Sequence, residues 1–566
     1  MSKLINRRSD LIAEMLDGFL ALYPGLSRLA GHNVLVRSDC DEVRDRQVAI
    51  ISGGGSGHEP AHAGYIGAGM LSAAVAGEIF TSPSVESILA AIRTVTGPLG
   101  VLLVVKNYTG DRLNFGLAAE MARAEGFLVD IVLIADDVAL ARNADHAGRR
   151  GLAGTILVHK IAGAAAAAGL DLPQVASLAR AAAGEVATMG VALSAGTAAS
   201  FDQPAFLLEG EVELGLGIHG ERGVRRIPRA PADTLVDHLL SEIVSALRLR
   251  PAEPLAVLIN NLGGTTGIEL AIAARKTLAF LNERSFNVSR LYAGTFLSSL
   301  DMAGISISLL RTDEDRLKWL DAPTTAPAWP NVLKRSPGAL IPRYYSLPSS
   351  LEGATPHTPE TEAGRKAQLV LHRVCVALIA AEEKLTALDQ AVGDGDLGRN
   401  MQRAAAALPE NLPFDDFPQF LKAIGSRLQA VLGGSSGPLY GVLFLRAGSA
   451  LESGAQNDPK LWAAAALDGC EAIAELGEAR LGDSTMLDAL VPFARMLKDR
   501  LNDNASLQES LLDALEAARR GAENTAKLVA RRGRASYLGS RSVGHRDPGA
   551  VAAVIWLEAA VEELLA

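Results

Sequence analysis

Between residue 48 and about residue 311, short unbroken runs of β-branched and aliphatic residues alternate with alanine-rich stretches of helical periodicity. The runs at 48–51, 101–105, 129–134, 255–259 and 305–310 carry no polar face, and several end in polar or glycine-rich turns such as KNYTGD, ADD and NNLGG. A strand that is apolar on both sides must be covered on both sides, so the pattern predicts an α/β domain with helices over its sheets. In such domains, chemistry gathers at the carboxyl ends of the strands.

The periodicity fails between residues 321 and 360, where Pro323, Pro327, Pro330, Pro337, Pro342, Pro348, Pro356 and Pro359 fall together. That density of helix breakers predicts a linker. Beyond it, apolar residues recur every three or four positions, as in RKAQLVLHRVCVALIAAEEKLTALD and LQESLLDALEAARRGAENTAKLVARRG. This spacing predicts an all-α domain. The expected boundaries are residues 1–320, 321–360 and 361–566.

The opening MSKLINRRSDLIAEMLDGFLAL reads as an amphipathic helix, because acidic residues interrupt it and no small-residue cleavage site follows. Nowhere does an uncharged apolar run reach the ~18 residues of a membrane span. The IAGAAAAAG stretch at 161–169 is half that length and predicts a packed helix. A chain of 566 residues is too long for one ordinary core, which agrees with two domains. Its net charge of −10 argues against a nucleic-acid surface. Cys40, Cys375 and Cys470 have no metal-type or paired spacing, so a reducing, cytoplasmic compartment is expected.

Four segments carry candidate chemistry. SGGGSGHEP at 52–60 reads as a loop after a strand, either a plain turn or a site whose glycines permit close approach to the backbone while His58 and Glu59 supply polarity; it lacks the Lys-Ser/Thr ending of a nucleotide P-loop. KNYTGD at 106–111 crowds Lys106, Asn107, Tyr108 and Asp111 at a strand's end, where they could bind a polyol and supply a base, or form a solvated turn. GLGIHGERG at 215–223 frames His219 with glycines, leaving it open as a nucleophile or ligand, or merely mobile.

LDQAVGDGDLG at 388–398 is the most specific. Asp389, Asp394 and Asp396 would repel one another unless a hard cation neutralised them, and magnesium with phosphate oxygens suits that donor set. A calcium or structural loop is the alternative, although EF-hand spacing is absent. LGGSSGPLYG, LGDSTMLDAL and GRASYLGSRSVGHRDPGA follow in the same helical domain; their glycines, serines and Arg534 could hold phosphates or simply connect helices.

Taken together, SGGGSGHEPAHAGYIGAGM, GEIFTSP, KNYTGDRLNF, GIHGE, LDQAVGDGDLG, GGSSGPLYG and GRASYLG…DPGA closely resemble the ATP-dependent dihydroxyacetone kinase family, over essentially the whole chain. The resemblance implies an α/β ketose-binding domain of two α/β subdomains, fused to an all-α antiparallel helical-barrel nucleotide-binding domain. It also implies that His219 holds the ketone as a hemiaminal. Asp111 would be the base, and His58 would assist the hemiaminal chemistry. Gly55, Ser82, Lys106 and Asp111 would bind the remaining substrate oxygens.

In the helical domain, the resemblance assigns ATP contacts to Leu397, Gly398, Arg399, Asn400, Ser435, Ser436, Gly477, Met486, Arg534, Asp547, Pro548 and Gly549. It assigns two Mg2+ ions to Asp389, Asp394 and Asp396. Ser484 stands where the family commonly has a basic residue, and Leu397 where it often has a small or polar one. The implied reaction is phosphorylation of dihydroxyacetone by ATP in a homodimer. The alternatives are a four-carbon ketose such as D- or L-erythrulose, or additional FAD-AMP lyase activity. Relatives of the first domain also include non-catalytic ligand sensors, and phosphotransferase-linked relatives keep ADP bound; the fused helical domain with its aspartates argues against both.

Overall fold

The computed structural model describes residues 4–140, 149–194, 210–221, 223–330, 359–393, 395–408, 412–432 and 436–566. The chain divides into two compact units, residues 1–344 and 345–566. The five predicted strands form; the N-terminal helix runs only over Leu11–Leu22, and the first helical stretch of the second unit is two helices that break at Ala381.

The first unit contains twelve strands among the described residues: β1 (Leu26–Arg28), β2 (Val34–Arg37), β3 (Ala49–Ser56), β4 (Ala73–Ile79), β5 (Val101–Lys106), β6 (Val129–Ile134), β7 (Val186–Ala192), β8 (Glu211–Leu214), β9 (Arg225–Pro228), β10 (Pro254–Asn261), β11 (Asn287–Gly294) and β12 (Gly304–Arg311). They make two six-stranded sheets, in the orders β1-β2-β4-β3-β5-β6 and β11-β10-β12-β7-β8-β9. In the first sheet, β4, β3, β5 and β6 run parallel, in register Ile51 with Ala73 and with Leu103. In the second, only the β10–β11 pair is parallel.

Helices Val85–Val95 and Thr109–Ala124 pack on one face of the first sheet, where Ile88, Ile92, Phe115 and Ala119 meet Val75, Val101 and Leu103. Ala232–Leu247 and Gly267–Glu283 cover the outer face of the second. Helix Gly154–Ala167 touches strands of both sheets and is buried at every residue but its last. Two-sided burial explains its alanines: larger side chains would hold the flanking layers apart. The proline-rich stretch begins as part of this unit. Ala326 and Trp329 are buried in its core, and the Thr325 and Ala328 amides donate to the Ala68 and Gly64 carbonyls.

The second unit is helical throughout its described residues. Helices Glu362–Ala380, Leu397–Ala407, Phe417–Val431, Ser436–Leu451, Pro459–Gly477, Leu487–Asn502, Leu507–Asn524 and Pro548–Leu565 pack each on the next, and the last returns to the first. Glu382–Val392 lies against Leu397–Ala407. One continuous core fills the ring, from Leu371 and Phe414 to Leu515 and Leu557.

Candidate active site

The glycine-rich segment is strand where a loop was expected: Ser52 to Ser56 prolong β3, and their burial is complete. The glycines are there because other chain passes over them. A Cβ on Gly55 would lie 2.6 Å from the Phe80 carbonyl carbon, and one on Gly54 would lie 2.6 Å from Lys106 Nζ. The crossing segment is tied down by the Phe80 amide, which donates to Ser56 O at 2.9 Å, and by Asn114 Nδ2, which donates to Pro83 O at 2.8 Å. Phe80 itself has a φ of 56°, a left-handed conformation costly for an aromatic residue and held here by its neighbours.

Phe80 stacks on His58 with ring centroids 5.1 Å apart, and the His219 ring stands edge-on to both, 4.9 Å from His58 and 5.4 Å from Phe80. Tyr108 closes the group at 4.6 Å from His219. His58 is fully buried, and its Nδ1 donates to the Ser298 carbonyl at 2.8 Å. A carbonyl only accepts, so the proton sits on Nδ1, and the unpartnered Nε2 presents a lone pair. Burial, then the charges of His219 and Lys106, push the His58 pKa well below the usual histidine range.

His219 is held by Glu221, whose carboxylate accepts from the His219 backbone amide and from Nδ1, both at 2.9 Å. Burial opposes ionisation of Glu221. The hydrogen bond and charge of His219, its own backbone amide and the Arg150 guanidinium outweigh that and lower its pKa to about 2. Arg150 is anchored in turn by Asp137 at 2.7 Å and by the Gly215 carbonyl at 2.6 Å. In the neutral form of His219, with Nδ1–H engaged by Glu221, the lone pair lies on Nε2, the arrangement a nucleophilic imidazole needs.

Lys106 ends β5 fully buried, and Asp111 lies in the first turn of helix Thr109–Ala124, buried although read as part of a loop. One Asp111 carboxylate oxygen, Oδ1, has no hydrogen-bond partner. Ser82 sits over that helix start: a Cβ on Gly110 would lie 2.6 Å from its Oγ. The fold therefore gathers Gly55, His58, Ser82, Lys106, Asp111 and His219 around one end of the first sheet.

In the second unit, Asp389 Oδ2 accepts from the Asp396 amide at 2.9 Å and the Leu397 amide at 3.2 Å, tying two helices together. Asp547 caps helix Pro548–Leu565 by accepting from the Ala550 amide at 2.7 Å. Its pKa is raised to about 7 by desolvation and then by the charges of Asp488 and Asp389. Asp488 accepts from the Gly482 amide at 2.6 Å and the Thr485 amide at 2.8 Å. A Cβ on Gly549 would touch Met486 Cβ at 3.6 Å, so Met486 and the 547–549 turn are neighbours.

Among the described residues, which leave out Asp394, no three His, Cys, Asp or Glu side chains stand close enough together to hold a metal ion; Asp389 and Asp488 are near enough for their charges to be felt at Asp547. Ser436 begins helix Ser436–Leu451, and Tyr440 one turn later feels the Asp547 charge. Leu397, Gly398 and Asn400 are buried while Arg399 is exposed; Gly477 ends its helix near Leu439. Ser484, read as a departure, is buried at φ 59° with its hydroxyl on Thr525 O at 3.4 Å. Asp394 and Ser435 lie outside the described residues, as does the side chain of Arg534.

Residue reading alone did not single out Phe80, Glu221, Arg150 or Asp488. Only Glu221 left a trace, two positions after the glycine-framed histidine. Phe80 and Arg150 reach the site through chain crossings that no local pattern announces.

A two-sheet α/β unit that brings two histidines and a buried lysine to one end of a sheet, joined to a separate helical unit, is the architecture of a two-domain small-molecule enzyme. A family profile described as the Dak1 domain matches residues 17–328, and one described as the DAK2 domain matches residues 391–562. The chain belongs to the dihydroxyacetone kinase family. It is 45% identical to the human protein named triokinase/FMN cyclase, over 99% of each chain. The Citrobacter freundii dihydroxyacetone kinase, solved in complex with AMP-PNP and Mg2+, is 36% identical and superposes with a TM-score of 0.65, covering 99% of each chain. A dihydroxyacetone kinase operon co-activator, Dha-DhaQ, matches at a TM-score of 0.54 and covers only 56% of this chain.

Proposed function

We propose that the protein transfers the γ-phosphoryl group of ATP to a primary hydroxyl of a short ketose, dihydroxyacetone first among them. The observation that carries this reading is the Glu221–His219 pair beside His58. His219 Nε2 forms a bond to the ketone carbon, the carbonyl electrons move to oxygen, and that oxygen takes a proton from solvent. The positive charge left on the imidazole faces the Glu221 carboxylate. The His58 Nε2 lone pair accepts from the new hydroxyl. Gly55, Ser82 and Lys106 bind the other oxygens, and Asp111, with its unpartnered Oδ1, takes the proton from the hydroxyl that receives phosphate.

In the helical unit, Asp389, Asp394 and Asp396 would hold magnesium, two ions by family resemblance, with the charges of Asp547 and Asp488 nearby. When bound, the metal neutralises the phosphate oxygens and the charge that develops as the phosphoryl group leaves. Leu397–Asn400, Ser435, Ser436, Gly477, Met486, Arg534 and Asp547–Gly549 are the proposed nucleotide contacts. The buried Ser484 hydroxyl carries no positive charge, so this family position does not contribute a cation to phosphate binding. We assign residues 1–320 to ketose binding and 361–566 to ATP binding, in a cytoplasmic homodimer whose mass in sedimentation equilibrium is twice 59.2 kDa.

The test is a coupled ADP-release assay with ATP and Mg2+ on dihydroxyacetone, glyceraldehyde, D- and L-erythrulose and glycerol. Ketoses turn over and glycerol, which has no carbonyl, does not. A higher kcat/KM for an erythrulose moves the substrate to four carbons, and no turnover of any ketose sinks the kinase reading. The human relative's name supports a second reading, a cyclase acting on FAD, read out as cyclic FMN formed from FAD with manganese.

A further inference from the structure

Lys106 runs between two glycines: a Cβ on Gly151 would lie 2.8 Å from its Cβ, and one on Gly54 would lie 2.6 Å from its Nζ. Among the described residues, no carboxylate comes within ion-pair distance of this buried ammonium. Its hydrogen-bond partners are the Gly53 carbonyl at 3.3 Å and His62 Nε2 at 2.6 Å. An ammonium has protons and no lone pair, so the short contact requires a lone pair on His62 Nε2 and places the imidazole proton on Nδ1.

Behind His62 stands His159, edge-on with ring centroids 5.2 Å apart. His62 Nδ1 and both His159 nitrogens are buried without hydrogen-bond partners. Burial, then the Lys106 charge, hold both rings neutral, His159 at a pKa of about 3. As packing alone this is poor design, since apolar rings would fill the space without stranding three polar atoms.

We propose that His62 is a positioning residue for ketose binding: its Nε2 accepts one Lys106 proton, so the buried ammonium stays charged and keeps another N–H for the substrate. The proposal rests on the reading of Lys106 as a ketose contact. The ionisable groups around Nζ are Asp111 on helix Thr109–Ala124, Asp136 after β6, His58 and His62 after β3, and His159 on helix Gly154–Ala167. Burial lowers the Lys106 pKa, while Asp111 and Asp136 resist the shift. Without the His62 lone pair the balance moves further towards the neutral amine, and the charged form returns only as pH falls.

The experiment is steady-state kinetics of the full chain with ATP, Mg2+ and dihydroxyacetone across pH. His62→Phe raises KM about tenfold or more near pH ~8.5, with kcat changed less, and much of the loss disappears near pH ~6.5. His62→Gln, whose amide oxygen takes the place of Nε2, recovers most of the loss and flattens the profile. If His62→Phe does not fold, His62→Asn, whose amide ends short of Nζ, replaces it. Lys106→Met separates the two readings. If it leaves KM unchanged, Lys106 is no ketose contact and the proposal loses its basis. If it raises KM while the folded His62 variants match wild type, or lose affinity equally at every pH, the positioning role is overturned. In the double variant, the His62 change adds nothing to Lys106→Met.

Discussion

At the scale of single residues, the site depends on which nitrogen of each histidine is free. Ser298 O fixes the His58 tautomer and Glu221 fixes that of His219, so both rings present Nε2. Substituting Glu221→Gln removes the charge that faces the imidazolium of the adduct; kcat/KM for the ketose falls by roughly one to two orders of magnitude, with KM for ATP little changed. His219→Ala abolishes the protein–ketose adduct in an intact mass spectrum after reductive trapping, and an adduct that persisted would move the covalent role to another residue. The candidates themselves were legible in the sequence because glycines and strand ends mark them. Their partners were not, since Ser298 and Arg150 are brought in from distant parts of the chain.

At the scale of elements, glycine has different reasons in different places. Gly54 and Gly55 make room for Lys106 and for the Phe80–Thr81 backbone, while pairing with β4 makes a strand of the segment read as a loop. Gly398, a nucleotide contact by resemblance, lies where helix Leu397–Ala407 meets helix Glu382–Val392: a Cβ there would lie 2.8 Å from the Thr386 amide and against the Glu382 carbonyl. Gly398→Ala therefore lowers the stability of the helical unit by about 1–3 kcal/mol through overpacking, read as a lower melting temperature. An unchanged melting temperature with a raised KM for ATP would assign this glycine to the nucleotide instead. Asp389 is likewise both a proposed metal ligand and the acceptor that joins these two helices.

At the scale of the whole molecule, the two units have separate cores, and the proposed function gives ketose capture to the first and ATP binding to the second. Residues 1–344 expressed alone form the His219 adduct with dihydroxyacetone without ATP, whereas residues 345–566 form none; a first fragment that folds but captures no ketose would show that capture needs the second unit. From the chain alone came the α/β and all-α classes, the change of texture near residue 321, and the glycine-framed and aspartate-rich motifs. Periodicity and backbone permissiveness are local properties, and a sequence displays them directly. Tertiary structure decided that SGGGS is strand, that Phe80 and Tyr108 wall the paired histidines, that Glu221 orients His219, and that the charges of Asp488 and Asp389 act on Asp547. Each of these depends on long-range packing and on the electrostatics of burial, which appear only when distant segments share one interior.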